Sequence, residues 1–157
     1  MRGFLDTFFY GPEAFLVDEV HRMDPENRLI EASLDTMRPL PFRISQRTDA
    51  HHPPHVAAAE ILQATGSLGC MHAWFFHECR WRDGWAGFGN RIHRADFKSL
   101  APIGPPLRME SRETRTRVGK RRVMIRFESR FRQEKRPVYV GEQSAIFVRD
   151  YDLSVMR

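Results

Sequence analysis

The chain has 157 residues, 41% of them hydrophobic and 11% aromatic, enough to bury a core and too many for a disordered, collagen-like or repeat polypeptide. Its net charge of +5 is unevenly spread: positions 108 to 136 hold twelve basic and four acidic residues, a local +8 that leaves the remainder net acidic. The longest stretch free of charged residues, Ile61 to Phe76, is sixteen residues long and contains Gln63, Thr65, Ser67 and His72, too short and too polar for a bilayer-spanning helix.

Asp6 falls where a secretory leader needs an apolar run, so the expectation is a cytoplasmic protein. Cys70 and Cys79 stand alone, with no second pair to complete a metal site, and a reducing compartment keeps both as thiols. Residues 1–157 read as a single domain, without an interdomain linker, internal repeat or low-complexity segment.

In chain order, Phe15 to Met23 and Arg28 to Leu34 are apolar-rich runs joined by Asp24-Pro25-Glu26-Asn27, the turn chemistry of an antiparallel hairpin. Thr36 to Pro54 holds four prolines and no clean periodicity, which predicts a long connection of the kind that carries function. Pro53 and Pro54 suit a first helical turn, where amide hydrogens lack internal acceptors, and the run Ala57 to Leu62 has high helix propensity. The pattern predicts a helix over 54–77. Its apolar residues cover most of the circumference, so the helix is expected to be central. Gly66 and Gly69 within it suggest close backbone packing.

The rest reads as strands over 88–94, 107–118, 121–131 and 137–150. In the third, Val123, Ile125, Phe127 and Phe131 share one face and Arg122, Arg126 and Arg130 the other, the period-2 pattern of a half-buried strand. Gly119-Lys120 is a tight reversal. Two strands, one long buried helix and four more strands define an α+β fold, an antiparallel sheet wrapped around one long central helix.

That order, with Phe15 to Val20, Gln63-Ala64-Thr65-Gly66, and Ala95-Asp96-Phe97-Lys98 followed by Pro102 to Met109, resembles the hotdog-fold 3-hydroxyacyl-ACP dehydratases of fatty acid synthesis. The resemblance covers most of the chain. It implies a hotdog fold, a homodimer sharing its active sites, and an acyl substrate carried as a thioester of acyl carrier protein or coenzyme A. It implies no cofactor. The family's catalytic histidine and glutamate are where the match departs: an ungapped alignment places Ser45 and Ala59 at those positions. Glu60 lies one residue away, and Asp49 to His55 brings three imidazoles to the helix start. The turn Ala50-His51-His52-Pro53, leading into a helix with Glu60 and Gln63, is also similar to that of long-chain acyl-CoA thioesterases of the same fold.

The residue types support the chemistry these resemblances imply. Unpaired amides and the dipole at a helix start polarise a thioester carbonyl. Dehydration of a 3-hydroxyacyl group needs a base and an acid, for which His51, His52 or His55 and Glu60 are the candidates. Hydrolysis needs only a group that activates water, so the same residues leave both reactions open; a dehydratase-like step in fatty acid or polyketide assembly is the expected function, with a thioesterase of the same fold as the alternative. Ser45, Gln63 and Gly66 are the candidate substrate-binding residues. A metal on the three histidines is disfavoured, since no cysteine or nearby carboxylate completes a zinc set. The plainer readings are solvated turn histidines, a dipole-stabilising Glu60 and a catalytically silent acyl-binding subunit. The basic strands suit the acidic face of a carrier protein or the phosphates of coenzyme A. They carry no nucleic-acid-binding signature, so neither nucleic acid nor membrane is an expected partner.

Overall fold

The computed structural model describes residues 2–151. Helices α1 (Arg2–Leu5), α2 (Pro41–Ile44) and α3 (Ala58–His77) accompany strands β1 (Glu19–Asp24), β2 (Leu29–Leu34), β3 (Trp85–Phe97), β4 (Leu107–Val118), β5 (Arg122–Gln133) and β6 (Arg136–Arg149). All six strands form one sheet in the order β1-β2-β4-β5-β6-β3, and every neighbouring pair is antiparallel. The chain leaves β2, runs through α3 to the far edge as β3, and returns to lay β4 beside β2. None of the helices is long and apolar enough to cross a membrane among the described residues.

Strand alternation gives the sheet two unlike faces. Ile30 and Leu34 of β2, Leu107 and Met109 of β4, Ile125 and Phe127 of β5, and Tyr139 and Phe147 of β6 turn inward and are buried. They pack on α3, whose Ile61, Ala64, Leu68 and Met71 are buried in turn. The arginines of β5 lie on the outward face, as its alternation predicts.

At Gly69 α3 packs closely on the sheet: an added Cβ would sit 3.4 Å from the Phe127 ring. Gly66 differs from the expectation, because a Cβ there would meet nothing within 4 Å. Its missing side chain opens space instead of admitting a neighbour. The helix ends at Glu78, which adopts φ 55° and donates its cap amide bond to the Ala73 carbonyl, the left-handed stop usual for helix termini.

Besides β3, which spans Trp85–Phe97 in place of 88–94, three boundaries differ from the sequence reading, each for a physical reason. Phe15, Leu16 and Val17 are buried but precede the ladder, and the Leu16 amide donates to Ser67 Oγ on α3 at 3.1 Å. These residues are apolar because they fill the core and not because they pair. The helix begins at Ala58, later than position 54, because His55 bridges Pro102 and the Val56 amide donates to the Ala101 carbonyl at 2.9 Å. The long connection contains α2, whose N-terminus is held by a side chain from α3.

Candidate active site

A groove of about 460 Å³ runs along α3 against β3 and β6. From the helix it is lined by Ala59, Leu62, Gln63, Gly66 and Cys70, the 3-to-4 residue spacing of one helical face. Opposite lie Gly87 and Ile92 of β3 and Gln143 and Phe147 of β6, and Phe8, Phe9 and Tyr10 close one end. The absent side chain of Gly66 therefore becomes groove volume. At the helix start, the first amides bonded internally are those of Glu60 and Ile61, both to the Ala57 carbonyl. The amides of Ala58 and Ala59 precede the first intrahelical bond, as at any helix N-terminus.

Glu60, the candidate acid, is engaged by backbone amides. It is 1% exposed; its Oε1 accepts from the amides of Phe42 and Arg43, each at 2.9 Å, and its Oε2 from the amide of Ala57 at 2.8 Å. One carboxylate thus caps α2 and steadies the first turn of α3. Without this bonding, a buried carboxylate would be costly.

The three histidines differ in placement, although the His52 and His55 rings pack edge to face with centroids 5.1 Å apart. His51 and His52 are exposed, and their amides donate to Asp49 Oδ1 at 2.7 and 2.8 Å, which makes them turn residues. His55 is half-buried and fixed at both ends. The Gln46 side chain donates to its carbonyl at 2.9 Å and accepts from its amide at 3.2 Å. Its ring Nδ1 lies 2.9 Å from the Pro53 carbonyl, an oxygen that only accepts. Nδ1 therefore carries the hydrogen, and in the neutral ring Nε2 keeps its lone pair.

Ser45 ends α2, donating to the Pro41 carbonyl at 3.1 Å, and is not among the groove-lining residues. Gln63 lines the groove while its Nε2 donates to the Ala14 carbonyl at 3.0 Å; its Oε1 is left as an acceptor. Burial pushes the Cys70 thiol up to about 12, which disfavours the thiolate form.

The sequence reading missed a polar chain in the groove wall. Thr65 Oγ1 has two acceptors for its one hydrogen, the Leu62 carbonyl at 2.6 Å and Gln143 Oε1 at 2.9 Å. Gln143 Nε2 in turn donates to the Tyr139 hydroxyl at 3.2 Å. The available signal was an amide at an inward position of β6 between Tyr139 and Phe147.

No family model matches the sequence, and no curated protein matches it. Solved structures do match the fold. A mutant form of a thioesterase from Pseudomonas aeruginosa is 14% identical with TM-score 0.56, covering 83% of this chain and 80% of that one. A sigma28-regulated virulence protein from Campylobacter jejuni is 11% identical with TM-score 0.61, covering 90% and 82%. A hypothetical thioesterase from Streptococcus pneumoniae, crystallised with coenzyme A, is 6% identical with TM-score 0.58, covering 85% and 88%. The six-stranded antiparallel sheet around one long helix is the hotdog fold of these thioesterases.

Proposed function

We propose that this single hotdog domain is a cytoplasmic acyl-thioester hydrolase acting on a coenzyme A or carrier-protein thioester. The observation that carries the reading is the apolar groove along the Ala59–Cys70 face of α3, with unbonded amides at the end where that helix begins. The acyl chain lies against Gly66, and the thioester oxygen takes its hydrogen bonds from the Ala58 and Ala59 amides, helped by the helix dipole. His55, with Nδ1–H committed to Pro53, takes a proton from water through Nε2 as the water oxygen attacks the carbonyl carbon. The carbon–sulfur bond breaks, the proton passes to the departing sulfur, and a carboxylic acid and a thiol leave.

Hydrolysis suits the site better than dehydration, because Glu60 already serves three amides and is not free to protonate a β-hydroxyl. Likeness to two thioesterases, one of them crystallised with coenzyme A, leans the same way. The active unit is a homodimer. β3 is thirteen residues long and pairs with β6 on one side only, and a long unpaired edge is a template for another strand. A second copy of β3, running antiparallel, satisfies that edge and covers the open side of the groove.

Incubation with an acyl-CoA series and with 3-hydroxyacyl thioesters tests the proposal. Release of free thiol is expected; enoyl absorbance without thiol would replace hydrolysis by dehydration. A second reading, an acyl-binding subunit without catalysis, is favoured by one observation: no carboxylate or imidazole lies among the residues lining the groove. Acyl-CoA binding without thiol release would establish it.

A further inference from the structure

The outward face of the sheet carries its charges in rows set by the strand register. One row joins Arg112 on β4, Glu128 on β5, Glu142 on β6 and Arg94 on β3, two cations and two anions. The next row joins Arg115, Arg126, Ser144 and Arg91, three guanidinium groups and no carboxylate. Like charges facing each other across a ladder are destabilising, so the second row is unbalanced in a way its neighbour is not.

Three register shifts converge on it. In β4 the shift between Glu113 and Arg115 makes Thr114 an extra residue. Glu113 faces α3, and were Thr114 paired in regular alternation Arg115 would share that inward face; the bulge turns Arg115 and Arg117 outward together. In β3, shifts between Gly89 and Arg91 and between Ile92 and Arg94 bracket Arg91. The two extra residues, Asn90 and His93, each place a side-chain nitrogen 3.2 Å from Ser144 Oγ. Bulges often serve to re-aim side chains at functional sites, and here bulges in two strands aim at one place.

The result is a cleft of about 260 Å³ edged by Arg91, Arg115, Arg117, Arg126, His93 and Ser144. Glu142 beside it is taken by Arg126, with Oε1 2.5 Å from Nε. Among the described residues, Arg91, Arg115 and Arg117 have no carboxylate partner.

We infer that this cleft binds a phosphoryl anion. Guanidinium forks match phosphate oxygens in pairs, the Ser144 hydroxyl supplies a further donor, and the anion removes the repulsion along the Arg115–Arg126–Arg91 row. The balanced row next to it confines the positive field to a space for one or two phosphoryl groups, not for a polymer. The cleft and the groove meet at Ser144, which lines both, but none of the cleft's arginines lines the groove, so the inference does not depend on the thioester reading.

Calorimetric titration with pyrophosphate at fixed ionic strength tests it. Saturable binding is expected in the wild-type protein, weakened about 100-fold in Arg115→Ser/Arg117→Ser, roughly tenfold per charge-assisted contact removed. Arg108→Ser/Arg132→Ser, the same charge change on the same face outside the cleft, should bind as wild type. Pyrophosphate should also raise the thermal midpoint of the wild-type protein and not that of the cleft variant. Tighter binding of coenzyme A than of dephospho-coenzyme A, lost in the cleft variant, assigns the phosphoryl group to the coenzyme; equal binding of the two alongside saturable pyrophosphate assigns it to a free phosphate compound. Absence of saturable binding, equal loss in both double variants, or an oligonucleotide affinity that grows with length and ignores the cleft substitutions would overturn the inference.

Discussion

His72 on α3 and Glu113 on β4 are joined across the helix–sheet interface, Nδ1 to Oε1 at 3.1 Å, with side chains 0% and 3% exposed. Glu113 also accepts from His77 Nε2 at 2.9 Å and from Thr116 Oγ1 at 2.8 Å, and His72 Nε2 lies 3.2 Å from the Ser111 carbonyl. Burial pushes the Glu113 carboxyl up, but the hydrogen bonds from His72 and His77 outweigh it and hold the group at about 2. Burial lowers the His72 pKa from 6.5, against the pull of Glu113.

Both shifts make the fold acid-sensitive. An unfolded chain takes up the His72 proton near 6.5 and the Glu113 proton near 4.5, whereas the folded chain resists each to lower pH. The linked stability is present above those values and is lost as pH falls, first from 6.5 downward and then from 4.5 toward about 2. Denaturant titrations across pH should show this decline, and Glu113→Gln should abolish its lower part while costing about 3 kcal/mol at neutral pH. A variant with the wild-type pH profile would show that the triad does not set it.

Glu60→Ala should lower stability by about 3 kcal/mol, since three amides at two helix starts lose their acceptor. Hydrogen exchange at Phe42, Arg43 and Ala57 should accelerate. A variant with unchanged thermal midpoint and no thioester turnover would return Glu60 to catalysis.

Gly66→Ala should stabilise the protein by about 1 kcal/mol, the ordinary helix gain at a position with room for the methyl. Gly66→Leu should fold but exclude long acyl chains from the groove, raising KM for long-chain thioesters more than for acetyl-CoA. Equal kinetics with all chain lengths would place the acyl group elsewhere.

His55→Gln should reduce thiol release by about 100-fold, the lower range for loss of a positioned general base. His51→Gln should change it little, because that residue is exposed, and His52→Gln should cost less than His55→Gln, because His52 meets His55 only through a ring contact of 5.1 Å. Equal effects at all three positions would argue for a shared electrostatic role instead.

Ile92→Glu, a charge at a 53% exposed position of β3, should convert a dimer to monomers in light scattering and lower turnover with it. A monomeric wild-type protein would remove the shared-edge arrangement.

The sheet was readable because alternation survives in the strands that meet the core: β4, β5 and β6 fall within three residues of their predicted bounds. β3 was drawn too short, since its residues are largely exposed and alternation has no core to report. The site was less legible. Side-chain type marked Glu60 and three histidines, but their roles depend on amides from α2 and on the Pro53 carbonyl, groups that carry no residue-specific signal. The bulges left none either, so the cluster of Arg91 with Arg115, on strands separated in the sheet by β5 and β6, emerged only from the strand geometry.

Gln143 and Ser144 are consecutive residues of β6, one facing α3 and Thr65, the other facing Asn90, His93 and the arginines. Inserting or deleting one residue just ahead of them would present the hydroxyl to the helix and the amide to the guanidinium groups, damaging both faces in one event. Substitutions could retune either face independently, whereas a change in the length of β6 could not, which makes this strand the least tolerant of indels in the sheet.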